Sequence, residues 1–144
     1  MSDTRLYRSQ HQKLLAMMNE VSGFLDPSTL AVNAPRVRSL LAQVASVLSV
    51  HLYLEDNELY AEMLNHWDPT VREKSKLFLD EMGGLMVTFK AYLTTYGATD
   101  QIQASPAAFI KETKALFEAM SQRIVREESD LFVMVDGLPV LETP

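Results

Sequence analysis

Apolar residues recur at alternating spacings of three and four along most of this chain, and proline-containing turns divide the pattern into four segments. This period is typical of amphipathic α-helices that pack at about 20° in a bundle, and no sustained period-two run indicates a strand. The predicted helices cover about residues 4–25, 34–65, 69–96 and 106–137. The pattern therefore predicts an all-α, up-down-up-down antiparallel four-helix bundle.

Length, charge and composition limit the domain organisation and the partners. A chain of 144 residues with 47% apolar content can bury one core, so residues 1–137 are predicted to form one domain and residues 138–144 an irregular tail. The net charge of -6 argues against a nucleic acid or an anionic membrane surface as main partner. We find no apolar run near the roughly 20 residues of a membrane span, and no leader-like N-terminus. A cytoplasmic protein is expected.

The two halves of the chain repeat each other. The first and third segments align at a shift of 71 residues, which superposes Tyr7 on Phe78, and the second and fourth align at a shift of 72. The second shift places residues 51–60 over residues 123–132, where acidic, leucine and aromatic positions coincide. This similarity favours a duplicated helical hairpin.

Polar side chains interrupt the apolar seam at one level of the bundle. His51 and Glu55 are four residues apart, so both can point inward from the same helix face. A rise of about 1.5 Å per residue brings His11 to the level of His51, and Glu127 to the level of Glu55. Because the chain has no cysteine, a metal must use such imidazoles and carboxylates. Two of each would suit iron, manganese or zinc.

This arrangement resembles the hemerythrin-like, cation-binding HHE domains over about residues 5–136. Their signature is a histidine on helix 1, His-x-x-x-Glu on helix 2, a histidine on helix 3 and His-x-x-x-Glu on helix 4. The resemblance implies two non-haem irons between the four helices, bridged by the two carboxylates. It also implies oxygen binding, iron storage or sensing, or the sensing of oxygen or nitric oxide. It places four residues at metal-ligand positions: His11, His51, Glu55 and Glu127.

The second half of the expected site departs from this pattern. Met82 and Arg123 stand where the family has histidines. A thioether is a soft ligand and arginine only donates hydrogen bonds, so we expect at most one metal ion, with iron as first choice. Arg123 would instead supply a fixed positive charge between the carboxylates. Glu81 could turn inward as a replacement ligand, but an exposed glutamate or a partner for Arg123 is favoured.

Three functions are compatible with these residues. The first is a binding or sensing protein whose partners are one metal ion and a diatomic gas; the second, weighted equally, is a metal-free regulatory or interaction bundle in which Arg123 replaces the second cation. A dinuclear oxygen-activating enzyme is least favoured because ligands are missing. No phosphate loop, dinucleotide motif or nucleophile–base pair indicates another enzyme class. The sequence predicts no particular protein partner or oligomeric state.

Overall fold

Four antiparallel helical rods form the computed structural model, which describes residues 4–138. The elements in chain order are α1 (Arg5–Ser22), α2 (Leu30–Leu54), the first π-turn (Glu55–Leu59), α3 (Tyr60–Leu64), α4 (Pro69–Met82), α5 (Leu85–Thr95), α6 (Thr99–Ala104), α7 (Pro106–Arg126), the second π-turn (Glu127–Leu131) and α8 (Phe132–Asp136). The first rod is α1, and the second joins α2, the first π-turn and α3. The third rod joins α4 and α5, and the fourth joins α7, the second π-turn and α8.

The predicted all-α four-helix bundle is confirmed, and no strand occurs in the described part of the chain. Beyond Leu138, the predicted irregular tail lies outside the described residues. The seams meet in two apolar clusters, one around Leu48, Phe89 and Phe109 and the other around Tyr60 and Phe132. A layer of buried polar side chains separates the two clusters. Along the rods, this layer lies between the positions that form the first cluster and those that form the second.

The second rod begins at Leu30, four residues before the predicted start near Ala34. The prediction put Pro35 in the first turn, whereas the structure includes it in the helix interior, where it removes a hydrogen bond to the carbonyl of Ala31. Nε2 of Gln103 donates to that carbonyl at 2.9 Å and compensates for the loss. Gln103 belongs to α6, a short helix within a connection that the sequence analysis left without structure.

The third rod was predicted to be continuous to Tyr96, but it breaks between Met82 and Leu85. The break coincides with Gly83 and Gly84. A Cβ atom on residue 83 would lie 2.5 Å from the carbonyl oxygen of Leu79, so the chain can follow this path only with glycine there. The carbonyl of Met82 is consequently at a helix end, where carbonyls lack an intrahelical partner.

The two π-turns were not predicted either. They begin at Glu55 and Glu127, which are equivalent residues of the duplicated hairpin. Buried positions follow one another at intervals of four through both turns: 51, 55, 59, 63 and 123, 127, 131, 135. In an α-helix, three such intervals rotate the buried face by about 120°, and the extra residue of a π-turn removes most of that rotation.

The second rod, Leu30–Leu64, is long and apolar enough to cross a membrane by length and composition alone. This departs from the expectation that no stretch comes near such a span. The core helix of a soluble bundle passes the same test, and this rod packs its seam, including His51 and Glu55, against the other rods. One such helix is weak evidence, and the absence of a membrane partner stays a prediction.

Candidate metal centre

Four ligand-type side chains converge in the polar layer. His11 comes from α1, His51 from α2, and Glu55 and Glu127 from the first residues of the two π-turns. All four are at most 2% exposed. One ligand atom from each lies within 4.8 Å of the others, so the structure brings together the four residues that the sequence analysis selected.

The contacts within this cluster join atoms that metals bind. Nε2 of His11 lies 3.1 Å from Nε2 of His51 and 2.9 Å from Oε1 of Glu127. Nε2 of His51 lies 2.9 Å from Oε1 of Glu55. Two ring nitrogens and two carboxylate oxygens therefore face one another within a site closed to solvent.

The remaining nitrogen of each imidazole is held by an acceptor at the edge of the site. Nδ1 of His11 lies 3.1 Å from Oε2 of Glu128, and Nδ1 of His51 lies 2.6 Å from Oε1 of Gln10. With the ring hydrogens on these Nδ1 atoms, as a bound cation would require, the lone pair of each Nε2 would face the cluster. The sequence analysis selected neither Glu128 nor Gln10. The only signal in the sequence was that they are adjacent to Glu127 and His11.

Four atoms with lone pairs at such distances repel one another unless a cation or a proton lies among them. Burial, and after it the charge of His11, lowers the pKa of His51 to about 3, so His51 is neutral at pH 7. Neutral imidazole and carboxylate are the forms that bind metals. The donor set therefore fits one divalent cation such as iron, manganese or zinc.

The two carboxyl groups have opposite pKa shifts in the metal-free protein. Burial raises the pKa of Glu55 well above its usual range, and the charge of Glu127 raises that pKa further. Burial opposes ionisation of Glu127 as well, but a hydrogen bond with His11 and the charge of Arg123 outweigh it and lower the pKa to about 2. Burial and mutual repulsion therefore disfavour ionisation of both groups at once, and Glu127 is the one more readily ionised.

Arg123 reaches the same layer and bridges both carboxylates. Nη2 donates to Oε1 of Glu55 at 3.3 Å, and Nε donates to Oε2 of Glu127 at 3.3 Å. Nη1 donates to the carbonyl of Met82 at 3.1 Å, which the break in the third rod makes accessible. The guanidinium lies between the two carboxyl groups, as the sequence analysis expected.

The structure answers the open question about Glu81 and Met82. Glu81 forms an exposed ion pair with Arg126, so it is not directed into the site. Met82 is partly buried against the second apolar cluster and contributes its carbonyl oxygen to Arg123. The third rod therefore supplies no ligand-type side chain to the cluster.

A small cavity adjoins the cluster. Its volume is about 10 Å³, close to the space one water molecule needs. Apolar side chains form most of its lining, and His51, Arg123 and Glu127 contribute the polar part. A ligand of very few atoms could contact a bound metal from this side.

The comparisons agree with this geometry. The family model for the hemerythrin HHE cation binding domain matches residues 2–135. No curated protein and no solved structure matches the chain.

Proposed function

Because this chain belongs to the hemerythrin HHE cation-binding domain family, as its histidine and carboxylate pattern predicted, we propose that it binds one iron ion in an oxygen- or iron-binding or sensing role. The proposed ligands are His11, His51, Glu55 and Glu127. The observation that carries the proposal is the convergence of their ligand atoms within 4.8 Å, with both imidazole Nδ1 atoms already held by other acceptors. A cytoplasmic location and a non-catalytic role belong to the same proposal.

Iron bound here would supply a Lewis-acidic, redox-active centre able to take a diatomic gas as a further ligand. The protein's own residues prepare the surroundings. Gln10 and Glu128 orient the imidazoles, and Arg123 offsets the charge of the carboxylates. The adjoining cavity is lined mostly by apolar side chains, and its volume of about 10 Å³ leaves space for only a very small ligand.

The limit of one ion rests on Arg123. A second cation would need ligands from α5 or α4 and from residue 123, where the chain has no histidine. The guanidinium also contacts both carboxylates from that side, at 3.3 Å each. Two cations on one side of the carboxylates would repel each other strongly in a buried site.

A second candidate is a metal-free regulatory or interaction module. The same bridging by Arg123 supports it, because a buried guanidinium already donates hydrogen bonds to both carboxyl groups. This candidate requires the polar layer to be stable without metal. The two candidates therefore differ in whether the unsubstituted chain takes up a metal at all.

Metal analysis of protein purified without chelator, and then supplied anaerobically with Fe²⁺, tests the proposal. We expect uptake to saturate at one iron per chain and to be lost in a His51→Leu variant. His66→Gln is the matched control, since His66 is the third histidine and lies outside the cluster. No uptake of iron, manganese or zinc would favour the metal-free module, whereas two irons with an oxo-bridge absorption spectrum would refute the limit of one.

A further inference from the structure

The two oxygens of Glu127 have different surroundings. Oε1 faces the histidines, at 2.9 Å from Nε2 of His11 and 4.0 Å from Nε2 of His51. Oε2 faces away from them and accepts two hydrogen bonds, from the hydroxyl of Tyr60 at 3.0 Å and from Nε of Arg123 at 3.3 Å. Tyr60 is 1% exposed, so water does not compete for its hydroxyl.

The duplicated hairpin provides an internal comparison for Tyr60. Its equivalent is Phe132, and the two rings have equivalent neighbours: Tyr60 packs on Phe78, and Phe132 packs on Tyr7. Phe132 also stacks on His11, and it differs from Tyr60 in lacking the hydroxyl. Packing alone does not require it, because a phenylalanine fills the equivalent position.

The other carboxylate of the layer has no such support. Oε2 of Glu55 is buried and has no hydrogen-bond partner among the described residues. Oε1 of Glu55 contacts both His51 and Arg123. Glu55 can thus offer its second oxygen without losing a hydrogen bond, whereas Glu127 can offer its second oxygen only by losing two buried ones.

We propose that Tyr60 is a positioning residue of the metal site: with Arg123 it holds Oε2 of Glu127 and presents Oε1 alone to the metal. This inference rests on the proposed metal-binding function. Under this proposal Glu127 would bind the metal through one oxygen only. Any change in the number of metal ligands would then come from Glu55. The structure thereby assigns different roles to two carboxylates that the sequence pattern treats as equivalent.

Cobalt(II) is a suitable probe, because its visible absorption is intense in four-coordinate complexes and weak in six-coordinate ones. In Tyr60→Phe we expect the absorption of bound Co²⁺ to weaken as Oε2 of Glu127 becomes available to the metal. The Co²⁺ affinity should fall about tenfold, the lower end of the usual effect of losing a group that orients a ligand. Tyr92→Phe is the matched control, since it removes a buried hydroxyl that contacts Thr113 instead of a ligand; its spectrum and affinity should not change.

The outcomes separate this inference from the function on which it rests. A Tyr60→Phe chain with an unchanged Co²⁺ spectrum overturns the assignment, whether or not its affinity falls, because a lower affinity alone would indicate a packing role. A spectral change that Tyr92→Phe shares overturns it too. If the unsubstituted chain binds neither Co²⁺ nor Fe²⁺, the proposed function fails and this inference fails with it.

Discussion

At the scale of single residues, the protein differs from a symmetric two-metal bundle through a few side chains. Arg123 is the most consequential, because a buried guanidinium supplies charge and three directed hydrogen bonds where an imidazole would supply a lone pair. Met82 replaces the other expected imidazole and contributes only its backbone. One half of the layer is therefore suited to bind a cation, and the other half already contains one.

Replacing Arg123 by alanine should destabilise the metal-free protein by about 3 to 5 kcal/mol, because two buried carboxyl groups lose their counter-ion. Urea unfolding followed by circular dichroism measures this change, and added divalent metal should restore part of it. Arg126→Ala is the matched control: its ion pair with Glu81 is exposed, so the loss should be at most about 1 kcal/mol. Equal, small losses in both variants would contradict the assigned role of Arg123.

Restoring both imidazoles should create a second cation position. In the double variant Arg123→His with Met82→His, Glu55 and Glu127 remain in place to bridge two ions, so iron uptake should rise towards two per chain. Metal analysis and the absorption of an oxo-bridged pair provide the measurement. Uptake that stays at or below the level of the unsubstituted chain would mean that the third rod is too distant to supply a ligand.

At the scale of elements, the irregular segments of the rods lie at the level of the site. The π-turns begin at the two carboxylates, and the break at Gly83 and Gly84 exposes the carbonyl that Arg123 uses. π-turns are frequent at functional sites because the extra residue changes which side chains face inward. Regular helices connect these segments to the cores at either end.

The two glycines of the break should respond differently to substitution. Gly83→Ala should destabilise the protein because its Cβ would lie 2.5 Å from the carbonyl oxygen of Leu79, a backbone atom that cannot move independently. A loss of about 1 to 3 kcal/mol is expected, by analogy with other overpacked sites. Gly84→Ala is the control, since no atom lies within 4 Å of its added Cβ. Thermal unfolding of both variants tests this, and equal melting temperatures would contradict it.

Removing one residue from a π-turn should be tolerated. Deletion of the exposed Asn57 would give the second rod a regular α-helical path. The buried positions before and after the deletion would still face the interior of the bundle. Deletion of the exposed Ser46, in the regular part of α2, instead rotates everything after it by about 100° and turns His51 out of the bundle. We expect a cooperative thermal transition for the first variant and none for the second. Loss of folding in both would show that the π-turn has no regular alternative.

At the scale of the whole molecule, the polar layer divides the bundle into two apolar halves. A metal bound there would join three of the four rods through side chains, since its proposed ligands come from the first, second and fourth. If the metal binds the folded state and not the unfolded state, the free energy of unfolding should rise. The increase should be about 2.7 kcal/mol at a free metal concentration a hundred times Kd. The melting temperature should therefore rise with Fe²⁺ or Co²⁺ and return to its starting value with chelator. An unchanged melting temperature despite bound metal would show that the unfolded chain binds the metal equally well.

The sequence alone determined the four-helix architecture and the composition of the polar layer. Both follow from periodicity: seams at spacings of three and four specify which faces are buried, and a constant rise per residue specifies which residues share a level. His11 and His51 therefore met as predicted, although they are 40 residues apart. The departure of residues 82 and 123 from the family pattern was also visible without coordinates.

Only the tertiary structure decided how the layer is completed. Two irregularities depend on distant residues: Gln103 donates to the carbonyl of Ala31 near the early start of the second rod, and Arg123 donates to the carbonyl of Met82 at the break of the third. The direction of a single hydroxyl or amide, as in Tyr60 and Gln10, depends on which acceptor lies opposite it. Local propensity contains no information about such partners, because they come from other rods and become neighbours only when the bundle has formed.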